Sequence, residues 1–223
     1  RSGFEWAKNR AATQEEPDQL CNAYPDVGAS CLRLRQDPRE RIAWLQAALQ
    51  SARRLKDRPA EAHHLGNLGI AHKDLGDARK AVDCHAQAVK IAREIGDRRG
   101  EGDALGNLGT AYLRLGDARK AVEYHEQQLI IAREIADRRG EGNAPVDLGL
   151  TYAALGDARK AIEYYKQALQ IAREIGDRRG EGNALGNLGL AYAVLGDAHS
   201  AIEYHTQALK VTRATGDREG EGA

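Results

Sequence analysis

Apolar residues recur at intervals of three and four along this chain, and short glycine–aspartate pairs interrupt them. In the last full stretch the apolar positions are Leu185, Leu188, Tyr192 and Leu195, followed by Ile202, Ala208 and Val211. Spacing of this kind is typical of helices that bury one face. The pattern predicts two helices, at about 178–195 and 198–214.

The glycine–aspartate pairs mark the predicted helix ends. LGD at 195–197 and TGD at 215–217 each place a glycine where a helix can close in a left-handed turn. The aspartate that follows can cap the next helix N-terminus. The unit predicted from these signals is helix, turn, helix, turn.

The pattern returns every 40 residues. GDRRGEGNALGNLG at 176–189 has counterparts in ADRRGEGNAPVDLG at 136–149 and GDRRGEGDALGNLG at 96–109. The segments that align without gaps are 61–100, 101–140, 141–180 and 181–220. A fixed period of this length is the signature of a stacked repeat array. We therefore expect an all-α fold of four helix pairs, with 221–223 beginning a further unit.

The glycine-rich stretch belongs to the repeat and does not match a phosphate-binding loop. Its spacing, G-x-G-x-x-x-G, is one residue longer than the dinucleotide fingerprint, and no G-x-x-x-x-G-K-[ST] motif lies nearby. Gly186 and Gly189 would then lie inside a helix at a cost of about 1 kcal/mol each. We expect close approach of a neighbouring helix to offset that cost.

The repeat resembles the tetratricopeptide repeat. The residues that carry the resemblance are L-x-x-L-G-x-x-Y at 185–192, Gly196, Ala201 and Ala208–Leu209, with His72, Tyr112 and Tyr152 at the aromatic place of the other units. The match covers 61–220, but the proline that usually ends the second helix is absent and the unit has 40 residues instead of 34.

This longer form is similar to repeats of kinesin light chains, spindle-orientation adaptors and bacterial signal-transduction ATPases. The resemblance implies an α-α superhelix (a TPR solenoid) of antiparallel helix pairs. It also implies that the first helix of each pair lines a concave, peptide-binding groove.

Residues 1–60 depart from the repeat and are predicted to form an atypical helical cap with a degenerate repeat. Residues 38–58 carry the second-helix pattern, with Ile42, Ala48 and Leu49 at repeat-equivalent places. Residues 18–35 are expected to form a degenerate first helix and 4–12 a further short helix. Terminal units of solenoids are often atypical because they cover a hydrophobic end.

Charge, apolar runs and cysteine content limit the classes of partner and the cellular location that the sequence predicts. The chain has 33 basic and 33 acidic residues, which disfavours nucleic acid and membrane surfaces. No apolar run is long enough for a transmembrane helix. Cys21, Cys31 and Cys84 lack metal-ligand spacing, which predicts reduced thiols in a cytoplasmic protein. The chain has no methionine and opens on Arg1, so we expect a piece of a longer protein.

The sequence offers no catalytic or metal-binding constellation. Glu163 follows Arg159 by four residues, and the equivalent pairs recur in the other units, as expected of surface ion pairs. His85, His125 and His205 also recur by 40 residues, which places equivalent atoms about 10 Å apart, too far to share a metal ion. We expect neither enzyme activity nor a cofactor.

One polar position is a candidate for ligand binding. Asn67, Asn107 and Asn187, with Asp147 in the third unit, precede Leu-Gly by one residue, a place that the resemblance puts on the concave wall. Amide side chains can pair with the backbone of an extended peptide, but they could equally cap or bridge helices. The predicted groove residues are Asn67, Asn107, Asp147, Asn187, Asp103, Asn143, Asn183, Thr110, Arg114, Leu150 and Leu190.

These residues predict a protein- or peptide-binding scaffold whose groove is polar in the early units and apolar in the late ones. The alternative is a ligand-sensing C-terminal segment of a multidomain signal-transduction ATPase. Two structural expectations accompany this function. Pro145 should bend its helix near 141–145, and the apolar stripe of 198–214 should support end-to-end self-association.

Overall fold

The computed structural model describes residues 38–215, and these are α-helices joined by tight turns. Predictions made for residues 1–37, including the helices at 4–12 and 18–35, and for residues 216–223 lie outside the described residues. The helices are α1 (Pro38–Leu55), α2 (Arg58–Asp74), α3 (Ala78–Ile95), α4 (Arg98–Leu115), α5 (Ala118–Glu134), α6 (Arg138–Ala154), α7 (Ala158–Glu174), α8 (Arg178–Val194) and α9 (Ala198–Thr215).

The helices fall into two compact units, of which unit 1 ends at Leu115 and unit 2 begins at Gly116. Within unit 1, each of α1 to α4 packs against the next helix, and α2 also contacts α4. Within unit 2, α5 to α9 pack in the same way, and α6 also contacts α8. The all-α prediction is therefore confirmed, and α8 and α9 match their predicted bounds to within one residue.

The glycine–aspartate pairs end and begin the helices as predicted. Gly196 closes the turn after α8 with φ of +79°, and the carboxylate of Asp177 accepts a hydrogen bond from the Gly180 amide at the start of α8. The turn after α5 uses a different residue: Ala136 has φ of +53°, in the place that Gly96 and Gly176 hold elsewhere. An L-residue with a side chain adopts this conformation at a cost.

Each unit has its own apolar core. In unit 2, Leu185 and Leu188 of α8 are fully buried against Ile162 and Tyr165 of α7, and Val211 of α9 joins the same cluster. In unit 1, the equivalent leucines of α2 and α4 are buried in the same way. The residues of α1 that were predicted to match a second helix are buried too, including Ile42, Ala48 and Leu49.

Two glycines of the L-G-N-L-G motif have different surroundings. A Cβ atom at Gly189 would lie 2.6 Å from ring atoms of His205, so an aromatic side chain makes the predicted close approach there. A Cβ atom at Gly186 would meet nothing within 4 Å. The prediction of a close helix approach is therefore wrong for Gly186, because its open side faces a surface cavity.

The apolar stripe of α9 is divided between core and solvent. Val211 is buried, whereas Ile202 is 68% exposed. Ile162, which lies 40 residues earlier, is buried among residues of α8. No equivalent helix among the described residues covers Ile202, so periodicity alone grouped two residues that differ in burial.

Candidate functional site

In unit 1 the first helices α2 and α4 form the two walls of an open cavity of about 490 Å³. Asn67 and Ile70 line it from α2, and Asp103 and Asn107 line it from α4. Small residues of α3, including Ala88, form part of the lining. Three of the predicted groove residues, Asn67, Asp103 and Asn107, therefore lie around one cavity in this unit.

In unit 2 a larger open cavity of about 690 Å³ follows the exposed face of α8. Asn183, Asn187 and Leu190 line it from α8, and Leu150 lines it from α6. Arg179 lies at the other end of the same face. Leu150 is 43% exposed and Leu190 is 60% exposed, so both present apolar surface at this cavity.

The asparagine amides are available for hydrogen bonding. Asn67, Asn107 and Asn187 are half-buried, and their side chains have no hydrogen-bond partner among residues 38–215. The helix caps are aspartates, such as Asp77. No described contact therefore gives these three amides the capping or bridging role that was the alternative to ligand binding.

The remaining predicted groove residues either are bonded within their own helix or do not line one of these two cavities. Thr110 is half-buried, and its hydroxyl donates a hydrogen bond of 3.0 Å to the Gly106 carbonyl of its own helix. Arg114 and Asn143 are exposed and Asp147 is half-buried, but none of these three is among the cavity-lining residues.

The recurring histidines are packing residues. His85 and His125 are almost fully buried, and burial lowers the pKa of each imidazole to about 4. Neither ring nitrogen of His85 has a hydrogen-bond partner among the described residues. Within residues 38–215, no group of three or more His, Cys, Asp and Glu side chains could hold a metal ion.

A buried carboxylate that was not predicted from the sequence recurs in each first helix. Glu101 is 5% exposed in its side chain and accepts hydrogen bonds from Arg93 at 2.6 Å and from Arg98 at 2.5 Å. Arg93 lies in the last turn of α3 and Arg98 opens α4, so the carboxylate joins two consecutive helices. Burial opposes ionisation of Glu101, but the two arginines outweigh it and lower its pKa.

The same arrangement, which we call the Arg–Glu clasp, centres on Glu61, Glu141 and Glu181 in the other first helices. Arg58 and Arg138 extend it by pairing with Glu94 and Glu174. These ion pairs differ from the predicted ones, since the described salt bridges do not include Arg159 with Glu163. The available signal was the repeated sequence R-E-x-x-D-R-R-G-E. Its charged residues are equally typical of a solvent-exposed surface, so the sequence alone did not indicate a buried carboxylate.

None of the described helices combines the length and the apolar character that crossing a bilayer requires.

The helix pairs and the cavities along their first helices define a helical-repeat scaffold. The tetratricopeptide repeat family matches residues 29–94, 74–134, 100–174 and 140–214. The chain belongs to this family, whose members are typical protein-interaction scaffolds. No curated protein matches the sequence.

Solved structures share the fold at low sequence identity. A putative kinesin light chain with nearly identical TPR-like repeats, from Podospora anserina, is 19% identical, with 93% of this chain and 98% of that chain covered and a TM-score of 0.69. The STAND protein PH0952 from Pyrococcus horikoshii, which has a tetratricopeptide repeat sensor, is also 19% identical. The match covers 93% of this chain and 32% of that chain, with a TM-score of 0.77.

A third solved structure is a Rap protein in complex with Competence and Sporulation Factor. It is 17% identical, with 89% of this chain and 54% of that chain covered and a TM-score of 0.74. This chain therefore spans about half of the Rap chain and a third of the STAND chain. The predicted similarity to kinesin light chain and to signal-transduction ATPase repeats is confirmed at the level of the fold.

Proposed function

We propose that this chain is a binding module that holds an extended peptide, or an extended segment of a protein, against its first helices. The observation that carries the proposal is the state of Asn67, Asn107 and Asn187. Each amide is on a cavity wall and has no hydrogen-bond partner among the described residues. An amide offers both a donor and an acceptor, so it can pair with peptide groups whatever the ligand's side chains are.

The cavities fit a chain better than a compact small molecule. Both are open along one side and lie along helices of 17 or 18 residues. Such a shape leaves a ligand partly in solvent, whereas small-molecule sites usually enclose most of the ligand surface. The Rap protein, which is similar in fold over part of its length and whose structure is a complex with Competence and Sporulation Factor, supports the same function.

The proposed partners are proteins or peptides rather than nucleic acid or membrane. The balanced charge supports this choice. A cytoplasmic location is also proposed, because Cys84 is a free thiol in the described part of the chain.

The experiment is a selection of 12-residue peptides from a displayed library on the full chain, followed by affinity measurement on variants. Asn107→Ala and Asn187→Ala should each weaken selected peptides by about tenfold, since a lost hydrogen bond is worth about 1 kcal/mol or slightly more. Gln167→Ala is the matched control, because Gln167 is an exposed amide on the second helix α7. Unchanged affinity in both asparagine variants, or the absence of any selected peptide, would refute the proposal.

A second candidate function is the sensor segment of a multidomain signal-transduction ATPase. The similarity to the repeat sensor of the STAND protein favours it. The two functions share the same grooves and differ in what the grooves control. Sequencing the gene upstream of Arg1 tests this candidate: a G-x-x-x-x-G-K-[ST] loop would support it, and an upstream region without a nucleotide-binding domain would refute it.

A further inference from the structure

The groove face of unit 2 changes in chemical character from one end to the other, and the equivalent face of unit 1 does not show this change. Along α8 the residues on this face are Arg179, Asn183, Asn187 and Leu190, and along α6 they are Arg139, Asn143, Asp147 and Leu150. Spacings of three and four residues put each set on one side of its helix. Both helices therefore run from a cation, through polar groups, to an exposed leucine.

The cations at one end of this face are unpaired. Arg139 and Arg179 are exposed, and neither makes an ion pair with a residue of the described chain. Arg138 and Arg178, their neighbours in sequence, are engaged in the Arg–Glu clasp. In unit 1 the residue four positions after the equivalent arginine is Asp103, whereas unit 2 has Asn143 and Asn183 there. The i,i+4 carboxylate that could neutralise the arginine is thus absent in unit 2.

The opposite end is apolar. Leu190 and Val194 of α8 are 60% and 77% exposed, and Leu150 of α6 is 43% exposed. Leu150 and Leu190 line the same cavity, together with the half-buried Val146. Exposed apolar residues that cluster around a cavity typically mark a binding surface.

Asp147 is the one carboxylate on this face, and its position is compatible with an acidic ligand. It lies eight residues from Arg139, or ~12 Å along the helix axis, which exceeds the Debye length of ~8 Å at physiological salt. A carboxylate at this point can accept a hydrogen bond from a ligand backbone amide.

We propose that unit 2 selects peptides in which an acidic side chain and a large aliphatic side chain are about five residues apart. The carboxylate contacts Arg139 and Arg179, and the aliphatic group contacts Leu150 and Leu190. The spacing follows from geometry: eleven residues of α8 separate Arg179 from Leu190, which is ~16 Å, and an extended peptide covers ~3.3 Å per residue. This inference rests on the proposed function and adds the chemical class of the ligand.

The experiment uses fluorescein-labelled synthetic decapeptides on the full chain and fluorescence polarisation. One peptide carries two aspartates and, five residues later, two leucines, and a second has the reverse order. Further peptides replace the aspartates with lysine or with serine. We expect one of the two acidic peptides to bind at least tenfold more tightly than its lysine form, with weaker binding at high salt.

The variants assign the effect to residues. Arg139→Ala with Arg179→Ala should remove most of the preference for aspartate over serine, and Leu190→Ser should weaken all leucine-containing peptides about tenfold. Arg159→Ala is the matched control, because Arg159 is an exposed arginine on α7 without an ion pair in the described chain. An unchanged aspartate preference in the double variant would overturn the inference.

The library selection separates this inference from the proposed function. Selected peptides that depend on Asn187 but show no enrichment of acidic residues would leave the peptide-binding function intact and refute the ligand class proposed here. A selection that yields no binder would refute the peptide-binding function itself. Lysine and aspartate decapeptides that bind equally well would refute only the ligand class.

Discussion

The imidazole ring of His85 lies directly on Gly69 of the preceding helix. A Cβ atom at Gly69 would lie 2.4 Å from two ring atoms, although real Cβ atoms do not come that close to a neighbour. In unit 2 the ring of Tyr165 lies on Gly149 in the same way, with a Cβ-to-ring distance of 2.3 Å. The second glycine of the motif is therefore required by an aromatic side chain that needs the space.

We predict that Gly69→Ala destabilises the chain by about 2 kcal/mol. His85 is 1% exposed, and a ring in a close-packed interior moves only by displacing its neighbours, so overpacking outweighs the gain in helix propensity. Gly66→Ala is the matched control, since a Cβ atom there meets nothing within 4 Å, and it should stabilise by about 0.5–1 kcal/mol. Urea denaturation measures both, and equal effects would contradict the prediction.

Acid should destabilise the fold before the carboxylates titrate. An unfolded histidine binds its proton near pH 6.5, whereas burial keeps the pKa of His85 and of His125 at about 4. Between these values the unfolded chain binds more protons, so stability falls as the pH falls. From pH 7.5 to pH 5.5 we expect a loss of about 1.3 kcal/mol for each imidazole, measured by urea denaturation at the two pH values.

His85→Tyr is the control for this pH dependence, because Tyr165 occupies the equivalent place and does not titrate in this range. The variant should lose the share of this difference that His85 contributes, about 1.3 kcal/mol. Below pH 4.5 the Arg–Glu clasp should add a second loss, since the lowered pKa values of Glu61 and Glu101 mean that their ionised forms stabilise the fold. A stability that is flat between pH 7.5 and pH 5.5 would show that the imidazoles are not buried.

Ala136→Gly should stabilise the chain by about 1 kcal/mol. Ala136 closes the turn after α5 at φ of +53°, and glycine adopts this conformation without the steric cost that a Cβ atom brings. The reciprocal variant Gly176→Ala, at φ of +70° in the next repeat, should destabilise by a similar amount. Thermal melts compare the two; if both changes act in the same direction, the turn geometry is wrong.

Pro145→Leu should stabilise unit 2 by about 2 kcal/mol. α6 continues through Pro145, but proline lacks an amide hydrogen and crowds the carbonyl of residue 141. The clasp at Glu141 is correspondingly looser: its carboxylate is 17% exposed and lies 3.3 Å from Arg133, against 5–9% and 2.6–2.9 Å in the other clasps. The predicted bend near 141–145 remains a prediction that this loosening supports.

The control for Pro145→Leu is Pro59→Ala. Pro59 lies in the first turn of α2, where the missing amide hydrogen costs little. Its replacement should change the midpoint of urea denaturation by much less than the replacement of Pro145. A destabilised Pro145→Leu variant would show that the helix has repacked around the proline.

Self-association through 198–214 remains a proposal. The residue chosen for substitution must be exposed, so that its replacement affects association and not folding. Val211 belongs to the core of unit 2, so its replacement would perturb folding. Ile202 is 68% exposed and is the better site. We expect light scattering to show mass increasing with concentration for the natural chain and a constant mass for Ile202→Glu. A natural chain of constant mass, or a variant that associates undiminished, would contradict this.

Sequence periodicity was sufficient for the helices and their turns because these depend on local signals. The bounds of α8 and α9 follow from glycine and aspartate at fixed positions. Periodicity was insufficient where contacts between helices determine whether a residue is buried. Glu101 and Glu163 are both carboxylates beside arginine in the sequence, yet Glu101 is buried in a clasp and Glu163 is exposed. Only the packing of α3 against α4, which brings Arg93 to Glu101, distinguishes the two carboxylates.

For the groove, the sequence predicted which residues lie on the first helices but not which ones face a cavity. Asn107 and Thr110 are three residues apart on one helix, and only the asparagine lines the unit 1 cavity. The threonine hydroxyl is satisfied by its own backbone. Competition from local hydrogen bonds is a general property of threonine in helices, and a repeat pattern does not reveal it.

The Arg–Glu clasp has a consequence for how such a gene can change. Each clasp takes one arginine from the end of a helix pair and a glutamate from the start of the next, and the residue types are the same at every junction. Deleting or duplicating 40 residues by recombination between near-identical stretches would therefore rejoin an arginine to a matching glutamate. New array lengths can arise without a new junction, while under the proposed function the residues that differ between copies would determine the choice of ligand.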